Sequence, residues 1–206
     1  MWVAALVLVL GLGVALTPGP SMALTCANTL RAGRGAGTAT ALAATTADLT
    51  IAVLVVTVLM GIADQLRAFI GVIGAVLVFG LALDAIAVSR RADPAPRGTA
   101  TRPRFARAFV LELTQAPALL FGVTAVGPVV THQLVRNDGW WPWALVGLLG
   151  AGLLVSRLLL VSRVADSRRP LARGPYQGLC RVAGFALIGA SVAMLAWLAP
   201  LALDLG

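Results

Sequence analysis

A chain of 206 residues that is 59% hydrophobic and only 12% charged carries more apolar surface than a soluble core of that size could bury. Its formal net charge of +8 comes from arginine alone, since the sequence contains no lysine. The arginines lie in short clusters between apolar segments, which is the pattern of membrane topology and not of nucleic-acid binding, and no soluble domain fits between them.

The first apolar segment runs from residue 2 to about residue 30. It lacks a basic start and a small-x-small cleavage site, so it reads as a spanning helix and not as a signal peptide. As one helix it would be roughly 43 Å long at 1.5 Å per residue, against a hydrocarbon core of about 30 Å. Pro18-Gly19-Pro20 interrupts it within that thickness. Proline removes a backbone donor and clashes with the preceding turn, and glycine permits a turn. Freed backbone groups at membrane depth are tolerated where protein or a water-lined cavity satisfies them. The break therefore reads either as the edge of a site or as a plain proline kink.

Five further apolar segments follow. They cover about 36–62, 66–88, 105–131, 140–161 and 178–203, separated by turns at 31–35, 63–67, 90–107, 132–139 and 163–177. The expected fold is an all-α integral membrane protein of six transmembrane helices in a single domain, residues 1–206. Arginine is concentrated in the turns 31–35, 90–107 and 163–177, which places those turns in the cytoplasm and both termini outside. In that orientation Trp2, Trp140, Trp141, Trp143 and Trp197 all fall at the outer interface. Cys26 and Cys180 lie near the cytoplasmic, reducing side and read as small apolar residues.

Asp48 is the sharpest single residue. It stands about 20 Å along the second segment from Gly35, near the middle of the membrane, where an ionisable group faces the bundle interior or water and marks a functional site. Thr38, Ala41, Thr45 and Asp48 share one helical face whose small side chains admit a close neighbour. Asp48 is a candidate proton carrier. The structural alternative is that it pairs with a buried arginine such as Arg157.

The fourth segment carries a second interruption at Glu112-Leu-Thr-Gln115-Ala-Pro117. Pro117 stands about 15 Å from Arg107, close to the depth of Pro20 measured from Arg31. The first and fourth segments run in opposite directions. Two breaks at matched depth suggest 3+3 inverted repeats, about 1–89 and 105–206, joined by the basic loop 90–107, with a midplane site between them. The N-termini of half-helices there would favour a carboxylate. Alternatively, Glu112 snorkels and Pro117 only kinks. Asp84 reads as a near-interfacial, solvated acid, Arg157 as a snorkelling residue or a partner of the substrate or of Asp48, and His132 as a loop residue.

The run Leu16-Thr17-Pro18-Gly19-Pro20, the turn Arg31-Ala-Gly-Arg34-Gly35-Ala-Gly37, the pair Ala47-Asp48, Gly74-Ala75, and Arg181-Val-Ala-Gly184-Phe-Ala-Leu-Ile-Gly189 together resemble the LysE-type amino-acid exporters, which include the homoserine/threonine efflux group. The resemblance covers about residues 11–194. Two departures stand out: the helix-four Asn-Pro-Lys of the family reads Gln115-Ala116-Pro117 here, without the lysine, and the glycine before the helix-two acid is Ala47.

The resemblance implies export of an amino acid or a relative across the bacterial plasma membrane, in exchange for protons. On this reading substrate meets Pro18, Gly19, Pro20, Thr45, Asp48, Gln115 and Pro117, and Asp48 and Glu112 carry the proton. The expected partners are a small-molecule substrate, protons and membrane lipids, with no nucleic acid. Small-residue faces suit packing within one subunit or in a homo-oligomer. No nucleophile–base pair, phosphate loop or metal-ligand cluster stands out, so no enzyme, metal or cofactor is expected. The rival readings are an exporter of metal ions or lipids and an accessory membrane protein without a transport cycle.

Overall fold

The computed structural model describes residues 2–17, 20–90, 105–114, 116–136, 140–167 and 173–203, and every regular element among them is helical. The first apolar segment is two helices, α1 (Trp2–Ala15) and α2 (Pro20–Ala32). α1 tightens as it ends. Leu16 N–H reaches Gly13 O at 3.2 Å, Thr17 N–H reaches Val14 O at 3.1 Å, and the Thr17 hydroxyl donates to Gly13 O at 3.1 Å. These bonds occupy carbonyls that the ended helix would leave open. Pro20 opens α2, where a missing N–H costs nothing. Pro18 and Gly19, the remainder of the predicted break, lie outside the described residues.

After Gly33 the chain enters α3 (Arg34–Leu59) and then α4 (Asp64–Arg90). The fourth segment comprises α5 (Phe105–Leu113), α6 (Ala116–Phe121), a π-helical turn (Gly122–Val126) and α7 (Gly127–Arg136). The last two segments are α8 (Trp141–Ser167) and α9 (Arg173–Leu203). Four stretches are long and apolar enough to cross a membrane: Arg34–Leu59, Asp64–Ala87, Trp143–Asp166 and Cys180–Leu201. Trp2–Ala15 and Ala118–Gln133 are shorter apolar helices, because the first and fourth segments are each built from pieces.

Two expectations are corrected. The turn predicted from His132 begins later, because α7 continues to Arg136: Gln133-Leu134-Val135 offers no breaker, and the turn-forming Asn137-Asp138-Gly139 comes only afterwards. His132 is therefore a half-buried helical residue, its ring edge-on to Trp197 with centroids 4.9 Å apart. The basic stretch 163–177 is also shorter than expected, since α8 extends to Ser167 and α9 starts at Arg173.

α4 and α9 form an extensive antiparallel pair, along which the Ser191 hydroxyl donates to Ala75 O at 2.7 Å. α1 lies between α8 and α9 and runs parallel to α8. Glycine permits that contact: a Cβ on Gly11 would stand 2.7 Å from Leu149 O, and one on Gly152 would stand 3.0 Å from Leu8 O. Such close backbone approach is how membrane helices associate, because lipid removes the hydrophobic drive between them. Ser156 on α8 adds a hydrogen bond to Leu12 O at 3.2 Å. The core between these helices holds Val7, Leu10, Leu149, Leu153, Leu187 and Met194.

The parallel α1 and α8 place Trp2 and Trp141 at the same end of the bundle. Trp197 meets Trp2 there edge-on, at 4.9 Å. At the opposite end Arg34 and Asp166 form an exposed ion pair at 2.8 Å. The bundle thus has an aromatic end and an arginine-bearing end.

Candidate functional site

Three helices meet at one guanidinium. Arg157 on α8 donates through Nη2 to Asp48 Oδ2 at 2.7 Å and to Glu112 Oε1 at 3.1 Å. Through Nη1 it donates to Thr45 Oγ1 at 3.0 Å. Arg157 and Glu112 are each only 5% exposed, and the Asp48 side chain is 15% exposed. Thr45 and Asp48 reach the same guanidinium because residues three apart share a helical face. Glu112 comes from α5, which packs on α3 ahead of the break in the fourth segment.

In the structure Asp48 and Arg157 are partners, and Arg157 stays inside the bundle without snorkelling. Glu112 does not snorkel either. A charge buried beside apolar helices is costly unless paired and hydrogen-bonded. The planar fork of arginine can satisfy two carboxylates and a hydroxyl at once, which a lysine ammonium could not do with the same geometry. One guanidinium faces two carboxylates, so the cluster remains formally anionic when all three are ionised.

The cluster lies on the wall of a cavity of about 260 Å³. The end of α1 contributes Val14, Ala15 and Thr17, and the first turn of α2 contributes Ser21 and Met22. α3 adds Asp48, Ile51 and Ala52, and α8 adds Leu149, Leu153 and Arg157. Glu112, Ala118, Phe121, Gly122 and Val126 complete the side formed by the fourth segment, and Leu81 and Asp84 the side formed by α4. Both interrupted segments therefore border one hollow in the bundle, as backbone freed from regular helix requires.

The predicted site residues fare unequally. Thr45, Asp48, Glu112 and Arg157 are brought together. Pro20 and Pro117 fall in the first turns of α2 and α6. Pro18, Gly19 and Gln115 lie outside the described residues. The sequence reading missed Ser21, Phe121, Gly122 and the cavity-facing position of Asp84. Asp84 is exposed, as expected of a solvated acid, and it also lines the cavity. The π-helical turn was also missed. It closes with Gly127 N–H on Gly122 O, and Gly74 of α4 fits directly against Thr124, where any side chain would collide with the Thr124 backbone. π-helical turns inside helices occur frequently at functional sites, and the pair of glycines bracketing this one was its only sequence trace.

A multi-pass helical bundle with two interrupted segments around a partly charged internal cavity is the architecture of a membrane transporter. The LysE type translocator family matches residues 12–198, and the chain belongs to that family, a family of exporters and not of enzymes. No curated protein and no solved structure matches the chain.

Proposed function

We propose that the protein exports an amino acid or amino-acid derivative across the bacterial plasma membrane by proton antiport. The observation that carries this reading is the Arg157 cluster on the cavity wall, where a buried guanidinium ties two carboxylates from two other helices. Each carboxylate there can hold either the guanidinium or a proton. Protonation removes the charge that binds Arg157, so it loosens α8 from α3 and α5 and links proton occupancy to the packing of the bundle.

Six spans in two inverted repeats fit the helix contacts. If α1–α4 and α5–α9 are the repeats, their third spans, α4 and α9, pack on each other. The first span of one repeat packs on the second span of the other in both directions: α1 on α8, and α5, the π-helical turn and α7 on α3. A pseudo-two-fold axis in the membrane plane requires that reciprocity. With the arginine-bearing end cytoplasmic and the tryptophan end outside, both termini face outward.

Substrate enters the cavity from the cytoplasm and lies between the two breaks. Its carboxylate meets the first turn of α2, where the N–H groups of a helix start are unpaired and the dipole favours an anion. Asp48, with Glu112, takes a proton from outside and releases it inside as the repeats rock.

The test is counterflow of each amino acid in proteoliposomes under an imposed pH gradient, with Asp48→Asn beside the wild type. Movement of one amino-acid class that depends on the gradient in the wild type and is lost in Asp48→Asn is the expected result. Absence of amino-acid movement by correctly folded wild type overturns the substrate, and undiminished gradient-driven movement in Asp48→Asn overturns the coupling.

A further inference from the structure

We propose that Asp84 is a specificity-determining residue of the cavity, its carboxylate receiving the positively charged amine of the cargo. This rests on the transport reading above and adds to it a recognition residue outside the Arg157 cluster.

Among the described residues three carboxylates line the cavity, and two of them are committed. Asp48 and Glu112 both hold Arg157. Asp84 stands on α4, on the cavity wall, exposed, and forms no ion pair among the described residues. The ion pairs Arg34–Asp166 and Arg67–Asp64 do not involve it. An arriving cation therefore finds one carboxylate that need not first release a partner.

An arriving anion finds the reverse. The cavity's only cation among the described residues, Arg157, is shared by two acids and Thr45. When all three carboxylates are ionised the hollow carries an excess of negative charge over its one guanidinium, and its mostly apolar walls screen that charge less than bulk water would.

The sequence around Asp84 sharpens the point. It interrupts the apolar run Leu81-Ala82-Leu83-Asp84-Ala85-Ile86 on a helix otherwise apolar enough to span. An acid inside such a run is a candidate functional residue, and among the described residues no ion pair of α4 uses it. A cargo amine supplies the missing partner.

The complementary end of an amino acid also has a place. Ser21, in the first turn of α2, lines the same cavity, and its Oγ is buried with no hydrogen-bond partner among the described residues. A hydroxyl beside a helix start is the type of group that suits a cargo carboxylate.

The experiment uses the full-length protein in lipid nanodiscs. Binding of each of the twenty proteinogenic amino acids is measured by calorimetry, then binding of the N-acetyl form of every one that binds. The same comparison is made for D84N and D84E, with KM and kcat from counterflow in proteoliposomes and melting temperature as the control for folding. The expected wild type binds free amines and discriminates strongly against their N-acetyl forms. D84N weakens binding of the free amines by about tenfold or more, the scale of one lost charge-assisted hydrogen bond, raises KM more than it lowers kcat, and narrows the gap to the N-acetyl forms. D84E, which keeps the charge, restores most of the binding. Folded D84N that binds and selects as the wild type does overturns the assignment alone. So does D84N that weakens free and acetylated forms equally, because that is a structural effect and not recognition of an amine. Wild type that binds no amino acid overturns the amino-acid substrate proposed above, and this assignment with it.

Discussion

Arg157 and Asp48 are 109 positions apart in sequence and 2.7 Å apart in space, joining α8 to α3 inside the bundle. Glu112 completes the bridge from α5. Removing the guanidinium leaves two buried carboxylates facing each other without a counter-charge. Arg157→Met is expected to lower stability by about 3–5 kcal/mol, the usual cost of breaking a buried pair from one side. Thermal unfolding in detergent checks this. The triple variant Arg157→Met, Asp48→Asn, Glu112→Gln is expected to recover most of the loss while remaining inactive in counterflow, which separates the cluster's structural from its transport contribution.

Arg157→Lys keeps the charge but not the fork. An ammonium cannot reach Asp48, Glu112 and Thr45 in the same planar geometry. Stability between that of the wild type and Arg157→Met is expected, with transport reduced. A melting temperature equal to the wild type's would show that charge alone holds the three helices.

The two acids are not equivalent. The Asp48 side chain is 15% exposed on the cavity side, whereas that of Glu112 is 6% exposed. Asp48→Asn is expected to abolish gradient-driven export, and Glu112→Gln to leave substrate counterflow running with a weaker response to the gradient. Proteoliposomes at equal and unequal pH across the membrane distinguish the two.

Close packing of α1 on α8 depends on glycine. A Cβ at Gly11 would meet Leu149 O at 2.7 Å, backbone that cannot swing aside. Gly11→Val is expected to destabilise by about 1–3 kcal/mol, as overpacking does. Gly147, on the same helix α8 but exposed and with nothing within 4 Å of a Cβ, is the control. Gly147→Ala should change stability by no more than about 0.5 kcal/mol. Equal melting temperatures for Gly11→Val and the wild type would contradict the close approach.

Ser191 reaches across from α9 to the carbonyl of Ala75 on α4. Interhelical hydrogen bonds in membranes are worth about 0.6 kcal/mol on average and at most about 1.7. Ser191→Ala should fall in that range, measured by unfolding in mixed detergent, without loss of transport.

Much of the molecule was legible in the order of its residues. Hydrophobic runs and arginine clusters located the apolar segments, because lipid solvates only apolar side chains and the backbone must bond within each helix. Pro18-Gly19-Pro20 and Pro117 marked the interrupted segments, because proline lacks the donor a helix interior needs. Asp48 was visible for a similarly local reason: a charge inside an apolar run is expensive wherever its partner lies. The end of α7 was misjudged because a single polar histidine does not stop a helix.

The class of protein, its apolar segments and the candidate charges are thus readable from residue order. Which charges meet is set by the packing of the helices. Whether Arg157 snorkels or pairs, and whether Glu112 turns to the surface or inward, depends on which helices pack together. That depends on contacts such as Gly11 against Leu149 and Gly74 against Thr124, far apart along the chain. Asp84 shows the same division: its charge is read from one position, but its place on the cavity wall comes from the packing of α4 against the rest of the bundle. Helix formation and membrane partitioning follow from nearby residues, whereas ion pairing inside a bundle is a property of packing between distant ones.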